Sequence, residues 1–341
     1  MDRYDAAIIG AGPGGLACAT ALAAGGARVI VLERRKTIGR KVCAGGLTWH
    51  GFIRRVPEDL IQRTFPEQHI FSRHQRIRFR KPHPIIATVN REELGKWMAK
   101  KAAAAGARIE TGWLVTGLER DSLKAVRNKS VRTVHFDHLV GADGSSSVVR
   151  RFLNLPVRRV GFGINVQVPE TCPRMEWHLD PPLFGSGYAW IFPHRETTSV
   201  GVYSIRGGFP PSLLRKNFVH WAAARGFALN GLPARAELIN HDFRGLRFNR
   251  TWLVGDAAGT ASGLTGEGIN PAIVSGEEVA AAIIDPAHRF ERMKTLLKKH
   301  RRHVRMVELA ARNSFLCTFL LESLVLLLRF RLVDFQEQLS L

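Results

Sequence analysis

The 341-residue sequence has only four cysteines, at positions 18, 43, 172 and 317, and they form no Cys-x-x-Cys pair or zinc-type Cys/His spacing. Neither a disulfide framework nor a metal site is predicted, and we expect a reducing compartment. Acidic residues are also scarce, because 29 Asp and Glu stand against 50 Lys and Arg and leave a net charge of +21. Such a charge attracts an anionic membrane, phosphorylated small molecules or nucleic acid, and composition does not choose among them.

Long uncharged apolar runs are missing too. The most apolar segment, 315–333, is interrupted by one glutamate and two arginines, so a membrane-spanning helix is not predicted. The chain passes from Met1 directly into the strand-like segment 4–9, which leaves no room for a cleavable signal peptide. We therefore expect a cytoplasmic protein, with peripheral contact on the inner face of the membrane as an open alternative.

A glycine-rich turn stands between the strand-like segment 4–9 and a helix-forming segment at 16–24, and a second apolar run, 27–32, follows and ends at Glu33. In this βαβ pattern Gly10 permits the tight turn, Gly12 lets backbone amides approach a pyrophosphate, and Gly15 lets the helix pack on the strand. Glu33, 18 residues beyond Gly15, stands where a carboxylate accepts hydrogen bonds from a ribose. The pattern predicts a dinucleotide site without distinguishing NAD from FAD.

Two later segments repeat the pattern of an apolar strand followed by a polar turn. Residues 136–140 precede Asp143-Gly144, and residues 251–254 precede Gly255-Asp256. Downstream, Gly266-Glu267-Gly268-Ile269 opens a helix that we expect to reach residue 284. Backbone amides at a helix N-terminus attract negative charge, such as the charge on a reduced flavin.

These three motifs, in this order, resemble those of FAD-dependent oxidoreductases related to the aromatic hydroxylases. The resemblance implies a tightly but non-covalently bound FAD, and Arg91, in Asn90-Arg91-Glu92-Glu93, looks like the family's cofactor-contacting arginine. Without the resemblance, Arg91 would be a surface helix residue and Asp143 a turn former. The cofactor-binding residues that the resemblance implies are Gly10, Gly12, Pro13, Gly14, Gly15, Glu33, Arg34, Arg91, Asp143, Gly255, Asp256, Gly266, Gly268 and Ile269.

Within this family, the sequence is similar to the geranylgeranyl reductases, which saturate isolated double bonds in isoprenoid chains. Gly259 stands where the hydroxylases usually carry histidine, Lys41 to Gly46 is similar to a cysteine-containing glycine motif, and Tyr188 to Pro193 matches a Tyr-x-Trp-x-Phe-Pro motif. The sequence departs from the pattern at Ala44, where the family often has glycine, and at His194, where it often has lysine.

The resemblance implies reduction of an isoprenoid or lipid-like substrate, with NAD(P)H or a reduced ferredoxin as electron donor. The candidate catalytic residues are Cys43, Tyr188 and Trp190, and the candidate substrate-binding residues are Tyr188, Trp190, Phe192 and His194. From the residues alone, the aromatic strand could equally be plain core packing, and Cys43 a small buried apolar residue. Which isoprenoid is reduced, how many bonds, the donor and the oligomeric state all stay open.

Two other functions remain as alternatives. One is an FAD-dependent monooxygenase or halogenase acting on an apolar substrate, and the other is a non-enzymatic flavin-fold protein that binds membrane or RNA through its charge. Specific nucleic-acid binding is disfavoured, because the basic strip 73–81 offers only Phe79 for base stacking.

The predicted fold class is α/β with additional antiparallel β-structure: a Rossmann-type FAD-binding domain with a parallel sheet, interrupted by an antiparallel-sheet substrate domain and followed by helices. We expect the FAD-binding domain at 1–70, 86–155 and 245–285, and the substrate domain at 71–85 and 156–244. The C-terminal helices should occupy 286–341. They contain a basic amphipathic stretch, 289–305, with eight Lys or Arg and one acid, followed by the leucine-rich segment 315–332. Together these two segments could contact a membrane, or the first could be a solvated cationic face and the second a buried helix that covers the substrate cavity.

Overall fold

The computed structural model describes residues 3–41, 43–49, 51–205 and 210–339. In these residues, the strands in chain order are β1 Arg3–Ile9, β2 Val29–Glu33, β3 Gly46–Thr48, β4 Ile61–Phe65, β5 Glu67–Ser72, β6 Arg76–Arg80, β7 Ile86–Val89, β8 Arg108–Thr111, β9 Leu114–Leu118, β10 Ser122–Arg127, β11 Ser130–Gly141, β12 Val160–Val168, β13 Glu176–Leu179, β14 Tyr188–Pro193, β15 Thr198–Ile205, β16 Arg235–Asn240, β17 Arg247–Phe248 and β18 Thr251–Leu253. The helices are α1 Pro13–Ala24, α2 Arg91–Ala104, α3 Val148–Phe152, α4 Pro181–Phe184, α5 Pro211–Ala223, α6 Gly255–Ala258, α7 Ile269–Ile284, α8 Glu291–Ala310, α9 Ser314–Arg329 and α10 Phe335–Leu339.

The first sheet has the order β17-β18-β11-β1-β2-β8, and its centre is parallel. Ile9 on β1 pairs with Leu32 on β2 and with Gly141 on β11, and Gly141 pairs with Leu253 on β18. The carboxyl ends of these four strands therefore lie side by side. Ligands of open α/β sheets bind at that edge, and the glycine-rich turn, Asp143-Gly144 and Gly255-Asp256 follow β1, β11 and β18 there.

Helix α1 packs on β1 and β2 of this sheet, α7 packs on α1, and small residues let the two helices approach closely. A Cβ atom at Gly276 of α7 would overlap the carbonyl oxygen of Gly14 on α1, and a Cβ at Gly14 would lie 2.9 Å from the carbonyl oxygen of Ala272. A side chain at either glycine would separate the helices. Glycine at these positions therefore holds the segment after β18 against the glycine-rich turn after β1.

The second sheet is mostly antiparallel and has the order β16-β12-β15-β14-β13-β5-β6. One face packs on α5, through residues such as Val200, Val202 and Trp221, and the other face turns toward the carboxyl edge of the first sheet. A short third sheet, β3-β7-β4, takes β3 and β4 from the segment between β2 and β5 and takes β7 from the segment after β6. The strands of the second sheet come from two separate stretches of the chain, 67–80 and 160–240, and the segment between these stretches contributes strands to the other two sheets.

The C-terminal region is helical, as the sequence predicts. The apolar side of α8, including Met293, Val304 and Val307, is buried, while α9 packs with Val325 and Leu328 on the cluster that also contains Trp190. Among the described residues, none of the helices is both long enough and apolar enough to span a membrane. The predicted fold class, an α/β domain with an added antiparallel sheet and C-terminal helices, is confirmed.

Candidate active site

The turn after β1 brings Gly10 and Gly15 into direct backbone contact with their neighbours. Gly10 has a φ of +103°, and a Cβ there would overlap the carbonyl oxygen of Ala142 in the turn after β11. A Cβ at Gly15 would overlap the carbonyl oxygen of Gly10. Both positions exclude a side chain for reasons internal to the fold, independently of any ligand.

Gly12 is different, because a Cβ there would meet nothing nearer than the Ala142 carbonyl oxygen, at 3.9 Å. It is the N-cap of α1, with Pro13 in the first turn, so the free amides of the helix point toward the space beside it. Gly12 and Pro13 both line that space. A side chain at Gly12 would therefore occupy a ligand's volume rather than disturb the protein.

Glu33 ends β2 and fixes the glycine-rich turn. Its Oε2 accepts a hydrogen bond from the Ala11 amide at 2.9 Å, and its Oε1 accepts one from the Arg35 amide at 2.8 Å. Arg34, beside it, is exposed at the rim of the same cavity. The carboxylate of Glu33 thus lies at the cavity wall and retains lone pairs for a further donor.

Two adjoining cavities run along the carboxyl edge of the first sheet. The rear one, of about 370 Å³, lies between the turns after β1, β2 and β11, and the front one, of about 220 Å³, reaches under the second sheet. Gly12, Pro13, Lys41, Arg91 and Gly144 line both of them. Together they form an elongated space that begins at Glu33 and ends at an aromatic wall.

Arg91 begins α2 at the junction of the two cavities, behind an Asn90 side chain that caps the helix. Its Nε and one terminal nitrogen are shielded from solvent and have no hydrogen-bond partner among the described residues. Burial lowers the pKa of Arg91, and the neighbouring Cys43 and Asp256 oppose that shift. A shielded guanidinium with free donors suits a phosphate group, so the residues of this junction fit the pyrophosphate of FAD.

Asp143 organises the turn after β11. Its Oδ2 accepts hydrogen bonds from the amides of Val148, at 2.6 Å, and Val149, at 3.4 Å, at the start of α3. Burial raises the pKa of this carboxyl group, and the hydrogen bonds act in the opposite direction. Asp143 thereby holds Gly144, which lines both cavities, in place.

Asp256, on α6, meets two other segments through its carboxylate. Its Oδ2 lies 2.6 Å from Nζ of Lys41 and accepts a hydrogen bond from Oγ of Ser145 at 3.2 Å. Before it, Gly255 has a φ of +57°, and its amide donates to Oγ of Ser275 on α7. The strand β18, the loop after β2 and the turn after β11 therefore converge on one carboxylate.

The segment 266–269 lies on the floor of the front cavity. Gly266 has a φ of +66°, Gly268 is the N-cap of the 16-residue helix α7, and Ile269 is its first residue. All three line the front cavity. A helix N-terminus at this position makes the potential of the floor positive.

The opposite wall is aromatic. Tyr188, Trp190 and Phe192 project from β14 into the front cavity, as their alternation predicts. Trp177 on β13 and Tyr203 on β15 complete the wall, with ring centroids 4.7 Å from Phe192 and 5.9 Å from Tyr188, respectively. These two residues were not predicted from the sequence. Each is the one aromatic residue that faces the cavity from its own strand, so no alternating pattern marks it, and only the strand order places the two residues beside β14.

Hydrogen bonds hold the rings of the wall in place. The hydroxyl of Tyr188 donates to the carbonyl oxygen of Thr265 at 2.5 Å, and the hydroxyl of Tyr203 donates to the carbonyl oxygen of Gly263 at 2.9 Å. Nε1 of Trp190 donates to Oγ of Ser199 at 2.9 Å. Burial raises the pKa of both tyrosines, so both stay neutral across the physiological range. The wall is thus rigid and uncharged.

Cys43 lies at the edge of the front cavity, between the aromatic wall and Arg91. Its Sγ accepts a hydrogen bond from the Gly45 amide at 3.3 Å, which orients the sulfur. His194, expected in the substrate site, instead lies behind this loop, where its Nε2 is 3.0 Å from the carbonyl oxygen of Ala44 and burial lowers its pKa. Val42, in the same motif, lies outside the described residues.

Comparison with known proteins gives consistent findings. A family model described as an FAD binding domain matches residues 3–172. The chain is 27% identical to a digeranylgeranylglycerophospholipid reductase of Methanocaldococcus jannaschii, covering 83% of this chain and 78% of the relative. It is also 27% identical to a chloroplastic geranylgeranyl diphosphate reductase of Oryza sativa, covering 85% of this chain and 68% of the relative.

Two solved structures share the fold. A geranylgeranyl bacteriochlorophyll reductase-like protein of Thermoplasma acidophilum superimposes with a TM-score of 0.83 at 21% identity, covering 96% of this chain and 92% of the other. A flavin-dependent brominase superimposes with a TM-score of 0.68 at 17% identity, covering 88% and 84%. The FAD-binding domain and the named relatives show that the chain is an FAD-dependent oxidoreductase, and the relatives to which it is similar are named as geranylgeranyl reductases.

Proposed function

We propose that the protein reduces carbon–carbon double bonds in the isoprenoid chain of a lipid-like substrate, with electrons from NAD(P)H or a reduced ferredoxin. The observation that carries this proposal is the front cavity, where five aromatic rings face the 266–269 floor and no ionised side chain projects from the aromatic wall itself. Such a wall binds an aliphatic chain by burying its surface, while it offers little to a sugar or an acid. Both named relatives act, by their names, on geranylgeranyl groups.

The chemistry of saturation divides between the cofactor and the protein. Adding hydrogen across one double bond requires two electrons and two protons, and FAD, when bound and reduced by the external donor, supplies the electrons together with one hydrogen. The residues of this chain have to hold the alkene against the floor, exclude water and provide the second proton. The rigid rings of Trp190 and Phe192 suit the first two tasks.

We propose Cys43 as the source of the second proton. Its Sγ is at the cavity edge and held by the Gly45 amide, whereas the hydroxyl proton of Tyr188 is committed to the carbonyl oxygen of Thr265. The raised pKa of Tyr188 also makes its phenol a weaker acid than an ordinary tyrosine. Arg91 is close enough to Cys43 to interact with it electrostatically and would stabilise the thiolate left after the proton is transferred.

The test separates the two halves of the cycle in the FAD-loaded protein. Wild-type protein, reduced without oxygen and mixed with a geranylgeranyl lipid, should reoxidise and yield a product heavier by two hydrogen atoms per bond. Cys43→Ala should still be reduced by the donor but should reoxidise at least about a hundredfold more slowly, as expected when a proton donor is removed. Tyr188→Phe is the matched control and should keep the rate within a few fold.

Each result has a defined reading. Full turnover in Cys43→Ala would remove Cys43 from the proton-transfer step. Oxygen consumption coupled to an oxygenated or halogenated product, with no saturated product, would instead support the alternative of a monooxygenase or halogenase. The flavin-dependent brominase shows that this fold also occurs in a halogenase.

A further inference from the structure

Helix α9 carries an apolar stripe on its solvent side. Phe315, Phe319, Leu326 and Phe330, the last at the C-cap, follow one another at intervals of 4, 7 and 4 residues and so lie along one face. Their exposed fractions are 83%, 59%, 45% and 66%. Exposed large apolar side chains that are grouped along one face mark a binding surface more often than isolated exposed residues do.

The opposite face of α9 packs against the rest of the protein. Cys317, Leu321, Val325 and Leu328 are buried, and the last two pack in the cluster that includes Trp190 and Phe192 of the cavity wall. The helix is therefore apolar on both sides. Packing within the protein uses only the inner face of α9, so the exposed stripe is available to a binding partner.

Arginines frame the stripe. Arg312, Arg329 and Arg331 come from α9 and its ends, Arg73 comes from the turn between β5 and β6, and Arg76 is the first residue of β6. All five are exposed, and among the described residues the structure shows no ion pair for any of them. The rim of the stripe is accordingly cationic.

The turn between β5 and β6 is fixed to α9. The carboxylate of Glu322 accepts hydrogen bonds from Oγ of Ser72 at 2.9 Å, the His74 amide at 3.1 Å and Nε2 of Gln75 at 2.9 Å. In addition, Arg329 donates to the carbonyl oxygen of Arg76 at 3.3 Å. The single acidic residue of α9 therefore serves to anchor the turn, and it brings the two further arginines to the same side of the helix.

We propose that this α9 surface, made of Phe315, Phe319, Leu326, Phe330 and the five arginines, docks on an anionic lipid bilayer. Phenylalanine and leucine side chains enter the boundary between head groups and acyl chains, while arginines at the same level meet the anionic head groups. A symmetric contact with a second copy would instead bring each set of arginines toward the other copy's set, which opposes association. The charge pattern therefore favours the bilayer.

This surface is narrower than the membrane contact that the sequence predicts. The sequence predicts a contact that combines the basic stretch 289–305 with the apolar segment 315–332, but the apolar side of α8 is buried in the protein and the solvent side of 291–305 is mainly cationic. Apolar side chains that can enter a membrane are on α9 instead. Helix α9 is one layer of side chains away from the cavity wall, so docking would bring that wall near a lipid substrate. This role of docking rests on the proposed function.

The experiment measures co-sedimentation of the FAD-loaded full chain with vesicles of phosphatidylcholine alone or mixed with phosphatidylglycerol. Wild-type protein should bind the mixed vesicles and bind pure phosphatidylcholine weakly. The double variant Phe315→Ser/Phe319→Ser should lose about tenfold or more in affinity, since two apolar rings no longer enter the bilayer. Arg329→Gln/Arg331→Gln should lose about fivefold per arginine and show a weaker dependence on salt.

Phe152→Ser is the matched control, because Phe152 is 42% exposed on α3, outside the α9 surface, and its replacement should leave binding unchanged. Equal binding of wild type and the Phe315/Phe319 variant, or no binding to mixed vesicles, would overturn the proposal. So would a dimer in sedimentation velocity that the same variant dissociates, which would assign the stripe to a second copy.

The two proposals can fail separately. If docking is correct and the proposed reduction is wrong, the vesicle results stand while no lipid is saturated. If the reduction is correct and docking is wrong, the Phe315/Phe319 variant reduces detergent-dispersed and bilayer-embedded substrate as fast as wild type does. The expected result is a rate loss with embedded substrate alone.

Discussion

Nζ of Lys41 lies 2.6 Å from Oδ2 of Asp256, although the two residues are far apart in the sequence. Burial opposes the charge on Lys41, but the carboxylate outweighs it, so the pKa of the lysine is raised. The pair joins the loop that precedes Cys43 to the strand end that carries the Gly-Asp motif. It thereby sets the distance between the candidate proton donor and the cofactor-binding edge of the sheet.

Replacing Lys41 by Met should weaken FAD binding. The substitution leaves the Asp256 carboxylate without its cation beside a cavity in which we expect a pyrophosphate, and two negative groups repel each other. Because the lysine side chain is 38% exposed, solvent reduces the effect, and we expect a loss of about 1 kcal/mol, or roughly fivefold in Kd. Titration of apoprotein with FAD measures it. Lys124→Met, at an exposed position on β10, is the control, and equal affinities of the two variants would contradict the expectation.

Gly12→Val should release FAD without unfolding the protein. A side chain at Gly12 has free space on the cavity side, whereas one at Gly10 would overlap the Ala142 carbonyl oxygen at a φ of +103°. The measurement is flavin absorbance after gel filtration, combined with thermal unfolding. Gly12→Val should be colourless with nearly the melting temperature of the wild-type apoprotein, and Gly10→Val should be colourless and less stable than that apoprotein. Full flavin occupancy in Gly12→Val would refute the placement of the cofactor.

Trp190→Ala is expected to destabilise the protein, and a loss of activity in it would therefore be ambiguous. The ring fills the space above Gly201 and is 6% exposed, and truncating a buried tryptophan costs about 3–5 kcal/mol. Trp190→Phe keeps most of the volume and should cost about 1–2 kcal/mol while it changes the shape of the cavity. Denaturant unfolding measures the first effect, and the ratio of kcat/KM for lipids of different chain length measures the second. An unchanged ratio would place Trp190 outside the substrate path.

The βαβ unit and the positions of the three motifs could be predicted from the sequence because their information is local. Gly10, Gly12 and Gly15 specify a turn and a helix start within a few residues, and parallel strands bring their carboxyl ends to one edge. The aromatic strand at Tyr188 and Trp190 was predicted for the same reason, since alternation is visible in one segment.

The rest of the site depends on contacts between segments that the sequence does not pair. Trp177 joins the wall only because β13 lies between β14 and β5, the latter in a parallel pairing that no turn specifies. The pairing of Lys41 with Asp256 depends likewise on how the loop after β2 folds over the sheet edge. His194 followed the aromatic motif in sequence, but the next residue after a strand turns away, and its ring became a support for the Ala44 loop.

Low pH should destabilise the protein through two histidines on α8. His300 and His303 are buried beside the 259–265 loop, and Nδ1 of His303 lies 2.9 Å from Oγ of Ser262. Burial, together with the neighbouring His241 and Arg159, lowers the pKa of His300 to about 4. Burial, together with the neighbouring Arg302 and Lys299, lowers the pKa of His303 to about 4. None of these neighbours is an acid that could compensate a buried imidazolium.

The sign of the effect follows from proton uptake. Unfolded histidine has a pKa of about 6.5, so between pH 6.5 and about 4 the unfolded chain binds more protons than the folded one, and stability falls as the pH falls. At pH 5 each histidine should remove about 2 kcal/mol of the free energy of unfolding present at pH 7.5. Denaturant unfolding at both pH values measures the loss. His303→Gln should reduce the difference between the two values by about 2 kcal/mol, while His83→Gln, at an exposed position, should leave it unchanged. Because the 259–265 loop leads into the Gly266 floor, FAD should be released over the same pH range. Retention of FAD at pH 5 with unchanged stability would contradict this expectation and would show that these imidazoles remain paired or hydrated in the folded protein.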